Sequence, residues 1–157
     1  MSDPDDPADE HREIAARFST TVKGVTPDQD RDRAHGRTRR SRRSGGRVAH
    51  QTAEVQRLLD DREIADTEYD FGPLGTMPLK RAIAMIYTGD VFLHRWDLAR
   101  ATGQDETLDP QRCARLLAGM LPMDDALRRS GHYGPRVLVD DDADAQTQLL
   151  AFIGRTP

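Results

Sequence analysis

Apolar residues recur at helical spacing in five stretches of this 157-residue chain, and each stretch is bounded by residues that start and stop helices. Ile14, Phe18 and Val22 fall four apart with Ala15 beside them, which predicts a helix over Asp9 to Val22. Pro7 and the acids after it suit its start, and Gly24 and Pro27 end it. Val48, Thr52, Val55, Leu58 and Leu59 form one stripe of a second amphipathic helix, from Val48 to Leu59. The stretch DFGPLGTMP, Asp70 to Pro78, holds two glycines and two prolines and reads as a turn-rich connection. The longest pattern runs from Pro78 to about Thr102, with Thr76 or Met77 at the cap, Pro78 at the first helical position and Gly103 as the stop. A fourth helix starts at Asp109-Pro110, carries Cys113, Leu116, Leu117, Met120 and Leu121 on one face, and closes at Gly131 beyond Pro122. Arg136 to Val139 is a short extended piece. The last helix begins at Asp144 and buries Leu149, Leu150, Phe152 and Ile153 before Gly154. Strand patterning is otherwise absent, so the chain reads as an all-α bundle.

Length and composition fit one domain, residues 1–157, whose core is assembled from a few well-patterned segments, since 36% of residues are hydrophobic and 32% charged. No window approaches the roughly 20 apolar residues of a bilayer-crossing helix. The acidic start, Met1-Ser2-Asp3-Pro4-Asp5-Asp6, lacks the basic-then-apolar order of a signal peptide. Cys113 is the only cysteine, so no internal disulfide forms. These features point to the cytoplasm. Charge changes the picture in one place. Arg31 to Arg47 reads RDRAHGRTRRSRRSGGR, with eight arginines and no large apolar residue. Such a block buries too little surface to offset its ordering entropy, so residues 30–47 are expected to be a disordered insertion. Arginine so outnumbers lysine (Lys23 and Lys80 only) that the bias reads as GC-rich coding rather than function.

One constellation carries chemistry. With 100° per residue and Asp90 at zero, His94 lies about 40° away and Asp97 about 20° to the other side. Leu79, Ile83, Ile86, Tyr87 and Leu93 share that sector, so Asp90 and His94 are expected to project from the middle of the apolar face. A buried carboxylate needs pairing, hydrogen bonding or a cation. One reading is a satisfied polar layer, with His94 donating to Asp90 or to a neighbouring helix. The other is a metal site, because an acid and a histidine at i and i+4 reach one ion from a single helix. Nitrogen with carboxylate oxygen suits zinc, nickel, iron or manganese. Taken alone, D-x-x-x-H occurs often by chance.

The stretch TGDVFLHRWDLARATGQD, Thr88 to Asp105, resembles the D-V-x-x-H-x-W-D-L-A-R-A-x-G motif of the actinobacterial maleylpyruvate isomerase-like metal-binding proteins. The similarity continues through LDPQRCARLLAGMLPMDDALRRSGHYGPRV and DDADAQTQLLAFIGRTP, covering about half the chain, Pro78 to Pro157. The resemblance implies a DinB-like four-helix bundle holding a divalent metal, zinc as the first choice. In the relatives an acidic residue and a histidine one turn apart, which map onto Asp90 and His94, are joined by a histidine from an earlier helix. It also implies open coordination positions for the thiol mycothiol or a small-molecule substrate. A metal-bound thiolate would add to the double bond of maleylpyruvate and later leave, its pKa lowered by the ion.

The chain departs from that pattern where the third ligand should be. The family's G-W-T-x-x-D-L-x-x-H stretch is missing, and the arginine block stands in its place, which makes the bundle partly truncated. The block reads either as out-of-frame translation of GC-rich sequence joined to a deletion or as a true insertion. VAHQTAEVQRLLDD, Val48 to Asp61, resembles a later helix of the family, which leaves His50 a weak third ligand. Asp97 is expected to orient His94. His11 reads as ordinary surface, His35 as solvated and His132 as a turn residue without a role. Trp96 should pack against another helix, and Cys113 should be a small buried hydrophobe. Two further readings stand beside the enzyme. The chain is a non-catalytic remnant, or its arginines bind nucleic acid; the second is disfavoured because the block has no aromatic residue for stacking and the chain as a whole is acidic.

Overall fold

The structure, a computed structural model, describes residues 6–25, 41–131 and 133–157, the side chains of 41–49 and of Pro73 excepted. It is mostly helical. Helix α1 spans Pro7–Lys23, where the Asp6 carboxylate caps the start by accepting from the Ala8 amide at 2.7 Å. Helix α2 spans Ser41–Asp60, and α3, Arg62–Asp66, follows directly on an Asp61 cap. Residues 41–47, expected within the disordered insertion, are therefore helical; the arginines before them lie outside the described residues.

The turn-rich connection hides a small hairpin. Strand β1, Glu68–Asp70, pairs antiparallel with β2, Thr76–Pro78, with Tyr69 opposite Met77. Three-residue strands are too short for alternation to be read in a sequence. The loop between them needs glycine: Gly72 and Gly75 adopt φ of 63° and 78°, and Asp70 Oδ1 accepts from the Gly72 amide at 2.8 Å.

The long helix is present from Leu79 to Thr102, but in three parts. Helix α4, Leu79–Ala82, leads into a π-helical segment, Ile83–Thr88, and then into α5, Gly89–Thr102. Gly103 ends it in the left-handed conformation, φ 65°. Helix α5 buries Gly89, Phe92, Leu93, Trp96, Ala99 and Thr102.

The chain divides into two compact units, Met1–Glu106 and Thr107–Pro157, where the sequence reads as one domain. In the first, α1 packs against α2, the π-helical segment and α5 over a core that includes Ile14, Ala15, Leu59, Phe92 and Trp96. Gln104 ties the ends of α1 and α5 together. Its amide donates to the Thr21 carbonyl at 3.0 Å and to Thr102 Oγ1 at 2.8 Å.

In the second unit, helix α6, Pro110–Met120, packs on α8, Ala145–Phe152, around Leu108, Cys113, Leu149 and Leu150. Pro122 cannot donate an amide hydrogen, and the expected fourth helix breaks there into a 3-10 turn, Leu121–Met123, and α7, Asp124–Arg129. Arg128 and Arg136 both lie over the Phe152 ring, at 4.9 and 4.6 Å, and both donate to the Asp124 carboxylate. Burial pushes that carboxyl up, but the hydrogen bonds and charges of Arg136 and Arg128 outweigh it and hold it below its ordinary value. Arg136 to Val139, expected as an extended piece, forms no regular element, and the Val137 amide donates to the Ala151 carbonyl at 2.9 Å.

Candidate metal centre

Asp90 sits in the first turn of α5, His94 one turn on and Asp97 three residues later. His94 Nδ1 donates to Asp97 Oδ2 at 3.0 Å. That bond fixes the ring, and its other nitrogen, Nε2, stands 3.3 Å from Asp90 Oδ1. A carboxylate on the distal ring nitrogen is the arrangement that orients metal-binding histidines and raises their basicity. The nitrogen lone pair and the Asp90 oxygen therefore face one another across a gap that either a proton or a cation can bridge. Asp97 is spent on the opposite ring nitrogen, so the three side chains do not converge on one point.

The pair faces outward, contrary to the sequence reading. The Asp90 side chain is 67% exposed and that of His94 56%. The Leu79, Ile83 and Ile86 stripe that shares the Asp90 sector is not the core face: Leu79 and Ile83 are half-buried and Ile86 is exposed. Counted from Asp90 along α5, buried Ala99, Phe92 and Trp96 lie at about 180°, 200° and 240°, the opposite side of the helix. Trp96 packs inward as expected, with the Arg100 guanidinium 5.0 Å above its ring.

His50 does not join the pair. Its side chain is 78% exposed on α2, and its Nε2 is 4.0 Å from Glu54 of its own helix. Among the described residues no group of three or more His, Cys, Asp or Glu side chains is placed to hold a metal ion. The donor set of one chain thus does not fit the three-ligand centre that the resemblance implies. His35 and His132 lie outside the described residues.

His11 is the residue that the sequence reading misplaced. It is 1% exposed, beneath the π-helical segment, with its ring centroid 5.8 Å from that of Tyr87. Nδ1 donates to Gln56 Oε1 at 2.8 Å, while Nε2 is buried without a hydrogen-bond partner among the described residues. Buried Thr88 Oγ1 and Trp96 Nε1 share that condition. The signal was present: His11 stands three and four residues before buried Ile14 and Ala15, on their stripe. A cavity of about 410 Å³ opens among Asp6, Asp9, Arg12, Asp60, Asp66 and Lys80, and neither His11 nor the Asp90–His94 pair lines it.

Comparison with known proteins gives relatives but no family. No family model matches the chain, and no solved structure matches it. Two curated proteins of Mycobacterium tuberculosis, Uncharacterized protein Rv0738 and Uncharacterized protein MT0763, are each 37% identical to it over 86 residues. The matched region is 54% of this chain and 47% of each relative, so the chain spans about half the length of the curated relatives it matches. Among the described residues no helix is long and apolar enough to cross a membrane.

Proposed function

We propose that the chain is a divalent-metal-binding helical protein of the DinB-like, thiol-dependent isomerase ancestry that its Thr88–Asp105 stretch resembles. Asp90 and His94 are the donors, Asp97 orients His94, and zinc is the preferred ion. One observation carries this reading. His94 Nδ1 is committed to Asp97 at 3.0 Å, which turns Nε2 toward Asp90 Oδ1 at 3.3 Å and leaves a chelating pair at the surface. Two donors hold an ion less tightly than three, and an exposed pair excludes no water. Isomerase or transferase chemistry on mycothiol is therefore not assigned to a single chain, and no step is derived through the thiol. The setting proposed is cytoplasmic, in keeping with a single cysteine that is buried. The non-catalytic remnant is the competing reading. Nucleic-acid binding rests on arginines whose side chains are not described, and no structural observation favours it.

Elemental analysis and calorimetric titration with zinc test the proposal. Wild type is expected to bind zinc, His94→Ala to lose it, and His50→Ala to bind as wild type does. Asp97→Ala should weaken zinc binding about 10- to 100-fold, and Asp97→Asn, which keeps an acceptor for Nδ1, should recover most of that loss. A wild-type protein that takes up no zinc would overturn the proposal and leave the remnant.

A further inference from the structure

The cavity at the start of α1 holds charges of both signs, and most of them are already matched. It lies wholly within the unit Met1–Glu106, where the Asp6 start of α1 meets the Asp61 junction of α2 with α3 and the first turn of α4. At about 410 Å³ it has the room of a small-molecule site. Lys80 Nζ pairs with Asp66 Oδ1 at 2.5 Å. Arg12 pairs with Asp9 and, at 2.8 Å, with Asp60, whose same oxygen also accepts from the Gln56 amide. Two charges are left over. Asp6 commits one oxygen, Oδ1, to the Ala8 amide, and its other oxygen has no partner among the described residues. Arg62 makes neither an ion pair nor a hydrogen bond among the described residues. Both side chains line the cavity, yet no ion pair joins them.

We propose that this cavity binds a free amino acid, with its ammonium on Asp6 and its carboxylate on Arg62. The charges select a zwitterion over either of its halves. Asp6, Asp9, Asp60 and Asp66 face Arg12, Arg62 and Lys80, so the walls carry one negative charge in excess and repel a simple anion. A simple amine satisfies Asp6 and leaves Arg62 unmatched. A molecule with both groups on one small frame meets both, and the planar guanidinium fork suits a carboxylate in particular. The ion pairs around the two leftover side chains are already closed, so binding need not break one. The site is separate from the metal-binding reading, because neither Asp90 nor His94 lines the cavity.

The test is calorimetric titration of the purified full chain, in buffer with EDTA, against each of the common amino acids. Any amino acid that binds is then compared with its carboxamide, which lacks the carboxylate charge, and with its N-acetyl derivative, which lacks the ammonium. At least one amino acid is expected to bind, with both derivatives weaker by about tenfold or more. Arg62→Gln and Asp6→Asn should each weaken binding by a similar factor. Asparagine still caps a helix, so Asp6→Asn keeps the start of α1, and unchanged far-ultraviolet circular dichroism will show that both variants fold. His94→Ala and Arg57→Gln, which alter residues outside the cavity, should bind as wild type does. A chain that binds none of the amino acids overturns the proposal. Derivatives that bind as tightly as the parent overturn the zwitterion, and an Arg62→Gln or Asp6→Asn that binds as wild type does overturns the site. Loss of binding in His94→Ala would move the amino acid to the other face and overturn it as well.

Discussion

Cys113 is the residue whose chemistry its surroundings settle most fully. It sits on the buried face of α6, and burial, with smaller contributions from the Asp109 and Asp144 charges, pushes its thiol up from 9.0 to about 11. Such a thiol is neither a nucleophile nor a metal ligand at neutral pH, which agrees with the apolar stripe on which the sequence places it. The sign of its effect on stability follows. A folded-state pKa above the unfolded value means that the stabilisation is fully present below pH 9 and is lost as pH rises through about 11. Two units correspond to a swing on the order of 2 to 3 kcal/mol. Cys113→Ala should therefore flatten the alkaline fall in stability between pH 9 and 11, as read by urea denaturation at stepped pH. An alkaline fall as steep as that of wild type would contradict the buried, neutral thiol.

At the scale of elements, the Asp109 and Asp144 helix starts agree between sequence and structure, whereas the long helix begins at Leu79 after Pro78 and the expected caps Thr76 and Met77 lie in β2. Asp6, Asp61, Asp109 and Asp144 each accept an amide hydrogen bond at a helix start. The Asp144 carboxylate accepts from the Thr147 amide at 3.0 Å and from its hydroxyl at 2.8 Å, and these bonds hold its pKa below the ordinary 3.8. A depressed folded pKa contributes stability above the unfolded value and loses it as pH falls below 3.8. Asp144→Ala should cost about 1 kcal/mol at pH 7, with the difference from wild type shrinking below pH 3.8. The long helices, the Asp109 and Asp144 starts and the buried side chains of α8 were legible because each is a local pattern. Three features were not. The hairpin strands, Glu68–Asp70 and Thr76–Pro78, are shorter than any readable alternation. The π-helical turn at Ile83–Thr88 has no signature in residue type. His11 was overlooked because polarity was weighed above position, although its spacing from Ile14 placed it inside. Of the candidate site, the i, i+4 spacing placed Asp90 and His94 side by side, with Asp97 as the i+3 partner of His94. The tertiary question, which face of the run meets the core, needed the structure.

The whole molecule carries two unique reporters, one in each compact unit. Trp96, the only tryptophan, lies in the core of Met1–Glu106, and Cys113, the only cysteine, in that of Thr107–Pro157. Each unit buries its own set of apolar side chains, so damage confined to one should register first on that unit's reporter. Gly154 supplies a clean perturbation. It adopts φ of 85°, and a Cβ there would come within 2.8 Å of the Gly134 backbone, inside the second unit. Neither atom belongs to a flexible side chain that could swing aside, so Gly154→Ala combines a strained backbone with a clash and should cost about 1 to 3 kcal/mol. With increasing urea, labelling of Cys113 by a thiol reagent should begin at a lower concentration in Gly154→Ala than in wild type. The Trp96 fluorescence midpoint should move by less. Equal shifts of both reporters would mean that the chain unfolds as one cooperative body, with the two cores inseparable in stability. Unequal shifts would show that the Asp90–His94 surface is carried by a unit able to keep its fold while the other gives way.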